Sequence, residues 1–373
     1  MADEEIRVYE EERAHDVSFA QTEHEEERAH DVSFAQIAHV EGTGEILEDH
    51  TSTGRAAPWA EKKQLNEALT RMYRAVNNTR ARENLPALLS DRRMNDLESC
   101  GSYLEFGVNE QGEKRLHRAN FCHVRLCPLC QWRRSLAQFH MTQQQADWIQ
   151  EHHSGVRYIF LTVTLRNCQP AQLSQTIDAL TRGFSLMVGS KRARVNSLRA
   201  RLQASLLGSS RSIEVTYNSS ANTMHPHIHA LLAVSPSYFT RGYITHEGWQ
   251  QLWRECVGID YLPQVSIETI DNTARAVAEC SKYSAKLTNI LRAYAHPHDS
   301  EQAERALEAM HIALRGRRLI SLSGCFKDAK AALRQQDADA REDLIHVDGD
   351  DSTFRPIEYH LYRWRACSGA YIC

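Results

Sequence analysis

Residues 225–229 read His-Pro-His-Ile-His and run directly into Ala-Leu-Leu-Ala-Val. In an extended chain alternate residues share a face, so His227 and His229 point one way while Ile228 turns into the core. Two imidazoles on one face offer two borderline nitrogen ligands to a divalent metal. The third ligand is open between two residues. If residues 212–217 and 227–234 form a hairpin whose turn centres near residue 221, Glu214 falls opposite the histidine stretch. His225 competes for the place, with Pro226 leaving its direction undecided. A carboxylate beside two imidazoles suits Mg²⁺ or Mn²⁺, ions that polarise a phosphodiester.

A second group lies in Ala274-Arg-Ala-Val-Ala-Glu-Cys-Ser-Lys-Tyr-Ser-Ala-Lys286, which is helical by propensity. Glu279 and Tyr283 stand four apart and share one helical face. Lys282 adjoins the tyrosine, and Lys286 lies three residues further on. A phenol ionises near pH 10, so attack on phosphorus at neutral pH needs a metal-polarised phosphate and a cation beside the phenolate. A carboxylate one turn away is placed to activate water afterwards. Taken alone, such a pair on a helix is common and usually structural. The histidine hairpin gives it its meaning.

The third group is Cys122-His-Val-Arg-Leu-Cys127-Pro-Leu-Cys130, with Cys100 upstream. The two-residue spacing of Cys127 and Cys130 lets two thiolates grip one Zn²⁺, and Cys122 and Cys100 complete a four-cysteine site, with His117 or His123 as substitutes. The remaining six of the ten cysteines carry no assigned function.

The elements that must position these groups follow from periodicity. Order is expected to begin near Pro58, with helical periodicity over 60–99 broken at Pro86, and a long helix from Gln131 to about His152. Tyr158–Leu165 reads as a buried strand, 171–207 as helical, and Ser212–Tyr217 and His227–Val234 as the two arms of the hairpin around an Asn/Ser-rich turn. Helices are expected over 247–257 and 271–294, with a short strand at 264–268. The single tyrosines Tyr217, Tyr261 and Tyr294 read as packing residues, and His296-Pro-His298 as loop, since no apolar run follows it.

Charge is segregated along the chain. Residues 1–50 carry a net −13, residues 51–330 a net +12 and residues 331–373 a net −3. A positive body suits a phosphate-binding surface. Arg133 and Arg134 beside the cysteines, and Lys191, Arg192 and Arg194, are the expected DNA-backbone contacts. Residues 9–21 and 24–36 are near-identical, a tandem duplication of 15-residue period inside an acidic segment that reads as a disordered arm. No apolar run approaches the roughly 18 to 20 residues of a membrane helix, so a cytoplasmic location away from membranes is expected. The expected division is an acidic arm over 1–57, a helical and cysteine-rich zinc module over 58–152, a catalytic domain over 153–336, and an acidic, loop-like tail over 337–373.

In combination, Phe160-Leu-Thr-Val-Thr-Leu165, His225-Pro-His-Ile-His229 with Glu214 upstream, and Glu279-Cys-Ser-Lys-Tyr283 resemble the blocks of the HUH endonucleases, in their order. The resemblance is to the single-tyrosine initiators of rolling-circle plasmid replication. It covers roughly residues 95–330 and takes in Trp249, Trp253, Asp260-Tyr-Leu-Pro263 and Arg318-Leu-Ile-Ser-Leu-Ser-Gly324. It implies an α+β fold, an antiparallel sheet backed by helices, with the histidines on a central strand and the tyrosine on a facing helix. It further implies that Tyr283 nicks one strand of a bacterial plasmid's double-strand origin and stays on the 5′ phosphate, while Glu279 directs water at termination. The partners so implied are origin DNA, single-stranded at the nick, and the host helicase and polymerase. Two other readings stand beside this one: an HUH transposase or relaxase, and a non-catalytic zinc-bearing DNA-binding protein.

Overall fold

The structure is a computed structural model that describes residues 38–50, 54, 56–189, 197–270, 277, 287–336, 343–347 and 353–373. Its strands are β1 (Ala38–Val40), β2 (Tyr103–Val108), β3 (Lys114–Ala119), β4 (Arg157–Thr164), β5 (Leu206–Asn218), β6 (Thr223–Val234), β7 (Val265–Ile270), β8 (Ile320–Gly324), β9 (Glu358–Arg365) and β10 (Ala370–Ile372). Its helices are α1 (Trp59–Arg82), α2 (Asp91–Ser99), α3 (Pro128–His152), α4 (Leu173–Val188), α5 (Leu198–Gln203), α6 (His246–Val257), α7 (Thr288–Tyr294), α8 (Ser300–Leu314) and α9 (Cys325–Ala332). The fold class is therefore α+β, with antiparallel-rich sheets.

The hairpin forms as the turn residues dictate. β5 and β6 are antiparallel, joined through Ser219–Asn222, and Asn222 takes the positive φ of 47° that the turn demands. Their register sets Glu214 opposite His227 and Ser212 opposite His229. β6 is the middle of a sheet ordered β7-β4-β6-β5-β8, every neighbour antiparallel. At the end of β8, Gly324 has φ +51°, and a Cβ there would run into the Leu207 carbonyl.

Period-two alternation gives this sheet two different faces. One face, with Ile159, Leu161, Val163, Ile213, Ile228, Ala230 and Leu232, belongs to the main core, where α4 and the tryptophans of α6 also pack. The other carries Tyr158, Phe160, Leu231 and Ala233 against Ala146 and Ile149 of α3, Phe326 and Ala329 of α9, and Val277. Glu214, His227 and His229 project from this second face, since directly paired residues share a side. α6 is held at both ends. The Thr245 hydroxyl accepts from the Gly248 N–H, and Gly258 closes the helix at φ 78°.

A second sheet departs from the sequence expectations. Its order is β1-β9-β2-β3, with β10 added to β9 beyond β1. Residues 358–365 are thus not an acidic loop but the strand between β1 and β2, and Ala38–Val40 is ordered well before Pro58. β9 alternates Tyr359, Leu361 and Arg363 with His360, Tyr362 and Trp364; Tyr362 is fully buried against Phe106. The expected helical stretch over 171–207 also ends early. β5 starts at Leu206, six residues before the expected Ser212. The main core cluster gathers buried residues from both sides of residue 152, from Trp59 to Cys373, so among the described residues the expected boundary at 152/153 falls across one packed core. The duplicated segment over 9–36 lies outside the described residues.

Candidate metal centre

The Glu214 carboxylate stands where two imidazoles converge. Its Oε2 lies 3.3 Å from His227 Nε2 and 3.1 Å from His229 Nε2. All three side chains are buried, Glu214 at 1 % exposure. Their ligand atoms lie within 4.8 Å of one another, a spacing that fits a single metal ion. His225 is outside this group. Its Nδ1 is hydrogen-bonded to Asn167 Oδ1 at 2.8 Å. Burial, with the neighbouring His227 adding to it, holds the His225 imidazole below its usual range, and Glu214 opposes the shift.

The outer contacts decide which nitrogen faces the ion. His227 Nδ1 lies 3.3 Å from the His225 carbonyl, which can only accept, so Nδ1 carries the proton and Nε2 keeps its lone pair. His229 Nδ1 is 3.0 Å from Thr162 Oγ1; donating there leaves its Nε2 free in the same way. Phe160 stacks on the His229 ring, with centroids 5.5 Å apart and planes 11° from parallel. Two imidazole lone pairs and a carboxylate oxygen then point at one spot in a low-dielectric interior, an arrangement that calls for a cation. Thr162 and Phe160 were legible as positions in a strand but not as supports for His229. Their signal is the alternation that sets Thr162 and Thr164 opposite His229 and His227.

The four cysteines also converge. Cys100 Sγ lies 3.5 Å from Cys127 Sγ and 3.7 Å from Cys130 Sγ, and Cys122 Sγ lies 3.7 Å from Cys130 Sγ. A tetrahedral ion with ligand sulfurs at about 2.3 Å has sulfur–sulfur edges of about 3.8 Å, so the donor set and its size fit Zn²⁺. Backbone N–H groups of Cys122 and Val124 and the Asn66 amide point at these sulfurs from 3.4 to 3.5 Å. Cys100 caps the end of α2 and Cys127 the start of α3, so the cluster ties two helices together. His117 packs on Tyr359 instead, with ring centroids 4.4 Å apart, and neither it nor His123 joins the group.

The basic residues expected to touch DNA divide. Arg133 is 2 % exposed, and its guanidinium donates to the Leu344 and Ile345 carbonyls at 2.9 and 2.7 Å while lying over the Trp59 ring. It is a packing residue and not a DNA contact. Arg134 is half-buried and donates to the His123 carbonyl at 3.3 Å. Lys191, Arg192 and Arg194 lie outside the described residues, as do Glu279, Lys282, Tyr283 and Lys286. Val277, two residues before Glu279, is fully buried in the cluster on the histidine face. Tyr217 is buried with its hydroxyl on Asn222, and Tyr261 stacks under Arg166.

Comparison with known proteins names the family. The family described as Replication protein matches residues 113–372, from β3 through β10, including the whole sheet that carries the histidines. A Protein rep of Lentilactobacillus hilgardii is 32% identical over 316 residues, covering 82% of this chain and 91% of the relative. One from Lactiplantibacillus plantarum is 32% identical over 327 residues, covering 84% and 93%. A Streptococcus pneumoniae serotype 2 relative of the same name is 29% identical over 338 residues, covering 89% and 96%. No solved structure matches. With a family match over most of its length and relatives it spans almost end to end, this chain belongs to the Rep family of plasmid replication initiators.

Proposed function

We propose that the chain starts rolling-circle replication as a metal-dependent nickase of the HUH type, cutting single-stranded origin DNA through Tyr283. The observation that carries this reading is the buried Glu214–His227–His229 group on the middle strand β6 and its neighbour β5, with Val277 packed on the same face just ahead of Glu279 and Tyr283 in the sequence. A divalent cation such as Mn²⁺ or Mg²⁺ bound there polarises a phosphodiester. The Tyr283 oxygen attacks phosphorus and forms a phosphotyrosine ester; the bond to the 3′ oxygen breaks, and that oxygen leaves as a 3′-hydroxyl. Lys282 and Lys286 stabilise the phenolate. At termination Glu279 takes a proton from water, whose oxygen displaces the tyrosine and frees the 5′ phosphate. The free 3′-hydroxyl is the primer that a host polymerase extends, behind a host helicase. The four cysteines hold a structural Zn²⁺.

The test is incubation of the full chain with a single-stranded origin oligonucleotide and Mn²⁺ or Mg²⁺. A covalent adduct mapping to Tyr283 is expected, and Tyr283→Phe abolishes it while binding persists. An adduct formed normally by that variant removes Tyr283 as the nucleophile. Strand-transfer products on transposon ends would favour a transposase, and no cleavage with any divalent ion a non-catalytic DNA-binding protein.

A further inference from the structure

A cleft of about 320 Å³ opens between β8, α3 and α9, and its walls include Arg125, Arg317, Arg318, Lys327 and Lys330. Among the described residues lining it there is no Asp or Glu. All five lie within residues 51–330, the segment that carries a net +12, and they gather in one concavity. Arg317 is ion-paired with Asp178 of α4, and the side chains of Arg318 and Lys327 stand exposed to solvent. The floor is mixed, with Ile320, Leu322 and Met141 beside the nearly buried amides of Gln138 and Gln145.

Its position gives this chemistry a partner. Ile320 lines the cleft and pairs with Ser212, which pairs with His229 in the same row. The cleft therefore opens on the histidine face, two strand spacings, about 10 Å, from β6. Cations around a partly apolar floor suit a nucleic-acid strand, whose phosphates meet the rim while bases meet the floor. A cavity of this size lies at the small end of ligand sites and admits a nucleotide or two of one strand, not a duplex.

We infer that this cleft is a phosphate track for single-stranded DNA next to the scissile nucleotide, with Arg318, Lys327 and Lys330 neutralising its backbone. The inference rests on the nickase reading only for which strand lies there. Its test is therefore binding, measured on the full chain without added divalent ion, where no nick forms. Anisotropy of a labelled single-stranded oligonucleotide is followed against salt for the parent and for Arg318→Gln/Lys327→Gln/Lys330→Gln. The triple variant is expected to bind at least tenfold more weakly at low salt. The slope of log K against log salt should shrink by about 2, from roughly 0.7 per lost phosphate contact on a single strand. Lys327→Arg/Lys330→Arg keeps the charge and should bind as the parent does. If the triple variant fails to fold, Lys327→Gln alone, at an exposed site, should still reduce the slope by about 0.7. An unchanged affinity and slope overturn the inference. So does tighter binding, the result expected if the cleft serves acidic residues of the chain itself.

Discussion

At the scale of single residues, Thr162 governs which nitrogen His229 presents. Its hydroxyl meets His229 Nδ1 at 3.0 Å and fixes the ring with Nε2 toward Glu214. Thr162→Val keeps the shape and removes that partner, so Mn²⁺ affinity is expected to fall about ten- to hundredfold. Titration calorimetry reads this directly, and an unaltered affinity would show that the threonine does not orient the ring. How far such detail was legible depended on whether a residue's partner was local in the pattern. His227 and His229 announce themselves by alternation, and the hairpin turn alone was enough to bring Glu214 opposite them. Arg133 was misread because its partners are backbone carbonyls at 344 and 345, far along the chain and invisible to any local pattern. A basic residue beside a metal knuckle looks like a phosphate contact until its burial is known.

At the scale of elements, the cysteine cluster fixes how α1, α2 and α3 meet. Cys100 ends α2, Cys127 starts α3, and from α1 Lys63 donates to the Cys100 carbonyl at 2.7 Å while Asn66 reaches Cys127. Metal binding at such a junction is folding free energy. Cys130→Ser is expected to abolish stoichiometric zinc and lower the thermal midpoint, as a strong chelator should in the parent. Zinc content by atomic absorption, alongside a circular-dichroism melt, checks both; retained zinc would show that the cysteine is no ligand. Long, apolar or strongly periodic elements such as α3 and β6 were readable. β9 was not, because Glu-Tyr-His-Leu-Tyr-Arg-Trp-Arg sits in an acidic neighbourhood whose composition dominated the reading. β1 has only three residues and acquires meaning from β9 beside it.

At the scale of the whole molecule, helices around the core set an acid limit to stability. His311 of α8 meets the buried Tyr73 hydroxyl of α1 at 2.8 Å. Burial, with Arg315 and Arg80 adding to it, pushes the imidazole from its ordinary 6.5 down to about 4. Between those values the unfolded chain takes up a proton that the folded chain refuses, so stability falls as pH drops through this window. His311→Gln keeps an acceptor for Tyr73 and removes the titration. It should lose about 1 kcal/mol less than the parent between pH 7 and pH 5, allowing for partial exposure of the ring. Urea midpoints at the two pH values measure it, and equal losses would rule out His311 as the source. The same long-range architecture has a consequence in time. β9, the strand that β2 pairs with, begins 250 residues after β2 ends. A ribosome adding about 5–20 residues per second needs roughly 12–50 s to cover that interval. Through that interval β2 presents an open edge to solvent, and a nascent chain halted there holds the cysteine knuckle and the histidine hairpin but half a sheet. Such a fragment exposes an unpaired strand edge, the feature that makes an unfinished chain a target for chaperones and proteases.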